Sequence, residues 1–283
     1  MMKASATSTA RDGVPMQLAG SLLLLGFLSF SPLHEASAQA NCAQGDVGCR
    51  PPRAGQVPPA PPIGKPAALL DLEGQWVAVV TEDWRSYMLT APKGDYESMP
   101  LNGIGRQVAD AWNPDATDTD ACMAYGAASI MRMPSRFRIS WESDDVLKIE
   151  TDAGMQVRKL NFTKSAGQPG APSRQGYSFA KWVQEGESVG KKTFGTLEVT
   201  TSNLLGGYLR KNGVPVSDKA VVTEFYDRFK ASTGEEWLVV TTIVDDPQYL
   251  YEPFTTSTHL MRDPRPASWK PEPCLRGKPG VVK

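Results

Sequence analysis

The sequence predicts a mainly β protein: a single antiparallel barrel of about nine or ten strands with one short helix, a sandwich of the same strands being the alternative. Three observations carry that expectation. From position 75 onward the chain falls into short segments of alternating apolar and polar residues, separated by turn dipeptides and Gly/Pro/Ser loops. One stretch alone has helical spacing. The body, about 215 residues without a repeat of fixed period, suits one all-β domain. Closing the sheet also removes free edges.

The first element is a leader. Residues 1–40 read as a secretory signal peptide, with Lys3 and Arg11 in the n-region and an apolar core at 18–30. Small-residue cleavage sites follow at Ala36-Ser37-Ala38 and Ala38-Gln39-Ala40. The apolar run is about 13 residues, short of the ~18–20 needed to span a bilayer as a helix. The mature protein is therefore expected to be soluble, periplasmic or secreted, with no stable membrane span; an uncleaved anchor is the alternative. Residues 41–66 form a Pro/Gly-rich linker, an extended tether, and residues 67–283 form the barrel domain. Export makes the four cysteines disulfide candidates. Among the three possible connectivities, Cys122–Cys274 with Cys42–Cys49 is favoured. The first bridge would close a long loop, worth ~3–5 kcal/mol in the entropy model.

Strands are expected at 75–81 and 85–90. Asn102 caps a helix running to Trp112, with Ile104, Val108 and Trp112 on one stripe. Asn113-Pro114 stops it. Phe137, Ile139 and Trp141 share one face of the next strand, with Arg136, Arg138 and Ser140 on the other. Turns at Asp144-Asp145 and Asp152-Ala153-Gly154 continue a meander through 146–151 and 155–162. After a Gly/Pro/Ser loop at 164–174, strands follow at 177–184, 193–202, 219–229, 236–244 and 254–261. Ser232-Thr233-Gly234 joins two of them as a hairpin.

Composition excludes several functions. Net charge is −1, and the leader's Lys3 and Arg11 are balanced by its Asp12 and Glu35. No basic run with interleaved aromatics points to nucleic acid, and no spaced Asp/Asn/Gly loop points to calcium. The two histidines are His34, in the leader, and His259. A zinc site built on several histidines is excluded, and a Ser-His-Asp triad could use only His259. Ser257 lies ~6–7 Å away along the same strand face, and no G-x-S-x-G occurs. No metal and no cofactor are expected.

Gly74-Gln75-Trp76 opens the first strand, and this G-x-W resembles the first-strand motif of lipocalins and related calycin barrels. The resemblance implies that Trp76 closes one end of the barrel beneath a basic residue from a late strand, for which Arg262 is placed. A broader resemblance spans residues 71–274. It is carried by 71–85 (DLEGQWVAVVTEDWR), 92–96, 101–112, 130–132, 149–154, 208–214 and 237–249. In these stretches the chain is similar to uncharacterised secreted bacterial proteins of like length, and the resemblance implies a single secreted domain.

Several constellations could carry chemistry. Residues 82–85 (EDWR) sit at a strand turn, where Asp83 and Arg85 could face a ligand or form a surface ion pair. Tyr208 and Arg210, beside the Asn212-Gly213 turn, could clamp an anion or mark an exposed hairpin tip. In the strand 219–229, Val222, Glu224 and Tyr226 share a face. Glu224 and His259 would make an acid/base pair if both pointed inward; a solvated polar row is the alternative. The functional expectation is an exported barrel binding a small, mostly apolar molecule, through Asp83, Arg85, Tyr208, Arg210 and Tyr226. The alternatives are a barrel enzyme using Glu224 and His259 as an isomerase, cyclase or lyase, and an envelope interaction module held out by the tether. The sequence specifies neither the ligand's identity nor an oligomeric state.

Overall fold

The computed structural model describes residues 62–81, 83–116, 120–163, 169–186 and 194–280. The predicted leader, most of the tether, Cys42, Cys49 and Glu82 lie outside the described residues.

Eleven strands form among the described residues. They are β1 (Gly74–Val79), β2 (Arg136–Ser143), β3 (Val146–Thr151), β4 (Val157–Asn161), β5 (Tyr177–Gln184) and β6 (Gly195–Ser202) in the first half. Then come β7 (Gly207–Arg210), β8 (Val214–Val216), β9 (Val221–Lys230), β10 (Glu236–Asp245) and β11 (Phe254–Arg262). Nine close into a barrel in the order β1-β2-β3-β4-β5-β6-β9-β10-β11, with β11 pairing back to β1; β7 and β8 form a separate two-stranded ribbon.

The barrel is mixed, not antiparallel throughout, because β4 and β5 run parallel. The cause is parity. Strands that alternate up and down around a ring can all be antiparallel only if their number is even; with nine, one pair must be parallel. That pair falls where the chain has length to return, since residues 162–176 separate β4 from β5, enough for a crossover.

Alternation places the core. Trp76, Phe137, Ile139, Leu147, Ile149, Leu160, Leu197, Val199, Leu238, Val240 and Leu260 are all at 2 % exposure or less and fill the interior. A second cluster, including Met99, Leu101, Ala109, Leu209, Val214, Val244 and Phe254, joins the ribbon and the segments before β2 to the ends of β9, β10 and β11.

One local expectation is corrected. The segment expected as a strand at 85–90 is instead a short helix, α1 (Trp84–Met88). Asp83 enters it in the left-handed region, φ 45° and ψ 34°. That conformation reverses the chain after β1 and forbids continued pairing. Helix α2 (Gly103–Asp110) does start at Asn102, whose side chain accepts from the Gly105 N–H at 2.9 Å. Its buried face, however, is Gly105 and Ala109, while Ile104 and Val108 point outward. Backbone contact decides this: a Cβ on Gly105 would overlap the Tyr249 carbonyl oxygen, so the helix packs through its smallest residues.

The Cys122–Cys274 disulfide forms and fastens the C-terminal segment to the body. There the Gly154 N–H donates to the Glu272 carbonyl at 2.8 Å and the Glu272 N–H to the Asp152 carbonyl at 2.9 Å.

Candidate functional site

The middle of the barrel holds a charge pair. Arg158 on β4 and Glu224 on β9 are both fully enclosed and meet in a bidentate contact, Nη1 to Oε1 at 2.9 Å and Nη2 to Oε2 at 2.6 Å. The Tyr226 hydroxyl donates to Glu224 Oε1 at 3.3 Å, and Ser178 and Thr201 bond each other at 2.7 Å beside them. Burial alone would lower the Arg158 pKa, but the Glu224 carboxylate outweighs it and holds the guanidinium charged. Burial first, then Glu224, pushes the Tyr226 hydroxyl far above the usual phenol range. Arg158 is a residue not singled out from the sequence, although alternation puts it on the face of Leu160 and Phe162, which are inward.

This arrangement separates the predicted acid/base pair. Glu224 points into the barrel. His259 lies between the inward Thr258 and Leu260, so its ring faces outward, where Nδ1 meets Thr81 Oγ1 at 2.7 Å. Carboxylate and imidazole stand on opposite sides of the wall, and Glu224 is committed to Arg158.

One end of the barrel is closed by Trp76. Its indole N–H donates to the Leu72 carbonyl at 3.0 Å, and the Arg262 guanidinium lies over its ring at 4.4 Å. Trp76 and Arg262 are direct cross-strand partners. Gly74 has φ 130°, and a Cβ there would overlap Arg262 Nη1, which is the physical reason for glycine in G-x-W. Glu236 bridges Arg262 and Arg228, the latter at 2.8 Å. The Glu73 and Asp71 carbonyls accept from Arg262 and Arg228, each at 2.8 Å.

The opposite end carries an open cleft of about 590 Å³, a size typical of ligand sites. It is lined by the turn before α1, residues 98–100, Arg132 and the start of β11. Arg132 lies at 7 % exposure and Arg210 at 5 %. The Arg132 guanidinium is held between two rings, 4.7 Å from the Tyr87 centroid and 5.1 Å from that of Phe254. The Tyr87 hydroxyl is fixed by donating to the Ser257 carbonyl at 2.8 Å. Asp83 Oδ2 is 3.2 Å from Arg132 Nη2 and 3.5 Å from Arg210 Nη2. Arg210 Nη1 donates to the Glu97 carbonyl at 2.7 Å. Arg132 Nε, Arg210 Nε and Arg210 Nη2 have no hydrogen-bond partner. Burial, reinforced by Arg132, lowers the Arg210 pKa to about 10, with Asp83, Asp95 and Glu97 opposing.

The predicted ligand-binding residues thus divide. Asp83 and Arg210 come together. Arg85 turns away to Asp95, 2.6 Å from its Oδ2, because α1 replaces the alternation that would have set it beside Asp83. The Tyr208–Arg210 turn is not an exposed tip: Arg210, Lys211 and Asn212 are all buried. An irregular register between Tyr208 and Arg210 separates the two side chains. Tyr208 lines a small recess with Trp112 and Lys211, and Lys211 Nζ donates to the Tyr125 hydroxyl at 2.8 Å. Tyr226 belongs to the barrel interior. The cleft residue missed was Arg132, whose signal is a lone cation in the apolar run 121–134 (ACMAYGAASIMRMP).

No family model, curated protein or solved structure matches this chain.

Proposed function

We propose that this is an exported barrel protein that binds a small molecule at the cleft between α1 and the start of β11. One observation carries the reading: a cleft of ligand size whose floor is a buried arginine clamped between Tyr87 and Phe254. Met99, Pro100, Tyr251 and Phe254 supply apolar surface within a lining that is mostly polar, which suits an apolar body bearing a polar group. The barrel interior is a poorer candidate, since its side chains are packed and Arg158 already holds Glu224 in a bidentate pair, with Arg158 Nε alone of its nitrogens lacking a partner. The Cys122–Cys274 bridge supports an oxidising compartment, periplasmic or extracellular. The Gly74, Trp76 and Arg262 arrangement supports a calycin-like ancestry.

Titration with the neutral fluorescent probe N-phenyl-1-naphthylamine tests this. Thr255→Trp fills the cleft, and Ser173→Trp fills a separate recess beside β4 and β5. The expected result is probe binding by the wild type, abolished by Thr255→Trp and kept by Ser173→Trp. Binding that survives Thr255→Trp, or no binding at all, contradicts the reading.

A further inference from the structure

We propose that the occupant of this cleft carries an anionic head, a carboxylate or phosphate on a small apolar body, and that the head binds Arg132 and Arg210 by displacing the Asp83 carboxylate. The proposal rests on the reading of the cleft as the binding site and names the class of ligand it takes.

The cleft end is short of negative charge. Two buried guanidiniums share one carboxylate oxygen, Asp83 Oδ2. The other nearby acids do not make up the shortfall: Asp95 is paired with Arg85, and Glu97 offers Arg210 its backbone carbonyl. Arginine cannot shed its proton to escape this.

Three N–H-bearing nitrogens, one on Arg132 and two on Arg210, are buried without a hydrogen-bond partner, against one each on Arg158 and Arg262. Buried donors are ordinarily satisfied, and orphans call for a missing partner. What fits is an acceptor with several oxygens, since guanidinium groups bind carboxylate and phosphate in pairs of parallel bonds. A single Asp83 oxygen, on a side chain one methylene long, does not reach all of them.

Asp83 precedes α1 but its carboxylate makes no capping bond; it is turned to the arginines instead. Its backbone sits in the left-handed region, and so does that of Ser98 (φ 63°), which lines the same cleft. Non-glycine residues held there cluster where function over-determines the backbone. Its side chain is 40 % exposed, so it can leave for solvent. Arg132 is also held by the Tyr87 and Phe254 rings. Arg210 does not line the cleft itself and meets it through Asp83; removing the carboxylate uncovers it. The lowered pKa of Arg210 agrees with a cation short of counter-charge.

Four probes separate head from body: 1-naphthoate, neutral 1-naphthalenemethanol, inorganic phosphate and N-phenyl-1-naphthylamine, each titrated by calorimetry or fluorescence. Asp83→Asn keeps the side chain's size and tolerates the left-handed backbone. The expected result is naphthoate binding about tenfold tighter than naphthalenemethanol, tightened about tenfold more by Asp83→Asn and weakened as much by Arg210→Gln. Phosphate should compete with naphthoate. The proposal is overturned if Asp83→Asn leaves naphthoate affinity unchanged or weaker, or if the alcohol binds as tightly as the acid. In either case N-phenyl-1-naphthylamine still binds and the cleft reading stands. If no probe binds, the cleft reading falls and takes the proposal with it.

Discussion

The two ends of the barrel use the same parts to different effect. At the closed end, Arg228 and Arg262 share Glu236 and reach the Asp71 and Glu73 carbonyls, and Arg262 covers Trp76. At the cleft end, Arg132 and Arg210 share Asp83, and Arg132 is stacked on Tyr87 and Phe254. Each end sets two arginines around one carboxylate, with one of the two on aromatic surface. The difference lies in the remainder. The closed end is about a quarter exposed and leaves one buried nitrogen, Arg262 Nε, without a hydrogen-bond partner. The cleft end has deeper arginines and orphaned N–H groups. The first set of charges seals the fold. The second leaves three nitrogens unmet beside an open cleft, which is what the proposed binding site needs.

The Arg158–Glu224 pair in the middle sets the upper limit of the comparison. It is fully buried and matched one to one, so Glu224→Gln strands a guanidinium in the core. The expected loss is about 3–5 kcal/mol by denaturant unfolding. The double change Arg158→Met with Glu224→Leu should recover most of it, because no charge is then left unpaired.

At the closed end, Glu236→Gln should cost about 1–2 kcal/mol, less than in the core because water reaches the pair. The same end should fail first in acid. Hydrogen bonds from Arg265 and Ser268 hold Asp263 well below the usual carboxylate range. Burial would raise Glu236, but Arg228 and Arg262 outweigh it and hold it low. A carboxylate depressed in the folded state stabilises it above the unfolded pKa of about 4 and loses that effect as pH falls. Stability should therefore drop between about pH 5 and pH 3. Asp263→Asn should flatten that slope and leave the fold little changed in its pH dependence above pH 6 or so.

The smallest effect is expected at the cleft end. Without added anion, Asp83→Asn should shift stability by no more than about 1 kcal/mol, as its carboxylate is part-exposed and already under-serves both arginines. With millimolar naphthoate the variant should gain more in melting temperature than the wild type does. A large loss on Asp83→Asn that anions do not restore would make Asp83 a structural counter-ion like Glu236.

Much of the fold was legible in the sequence, and the unread parts have physical causes. β2, β9 and β11 alternate cleanly, so Phe137, Ile139, Glu224 and Tyr226 were assigned to shared faces that the barrel keeps. The G-x-W glycine foretold the Arg262 cover over Trp76. The parallel β4–β5 pair was not legible, because it follows from counting strands around a ring and no residue records it. Helix α1 was missed because one left-handed residue, Asp83, redirects the chain, and Asp carries no glycine-like signal. The burial of α2 was not legible, because close backbone contact at Gly105 turns Gly105 and Ala109 inward and leaves Ile104 and Val108 of the stripe exposed. The cleft was half legible: Asp83 and Arg210 were singled out, but Arg132 reaches them from a segment 49 positions away from Asp83, which spacing along the chain does not reveal.

Arginine Nε–H resonances in a ¹⁵N-labelled sample test the contrast between the ends most directly, since each buried guanidinium reports its own partner. Titrating phosphate and then 1-naphthoate should shift Arg132 and Arg210 while leaving Arg158, Arg228 and Arg262 unmoved. Shifts confined to Arg228 and Arg262, or no shift at Arg132 and Arg210 at saturating anion, would contradict the account.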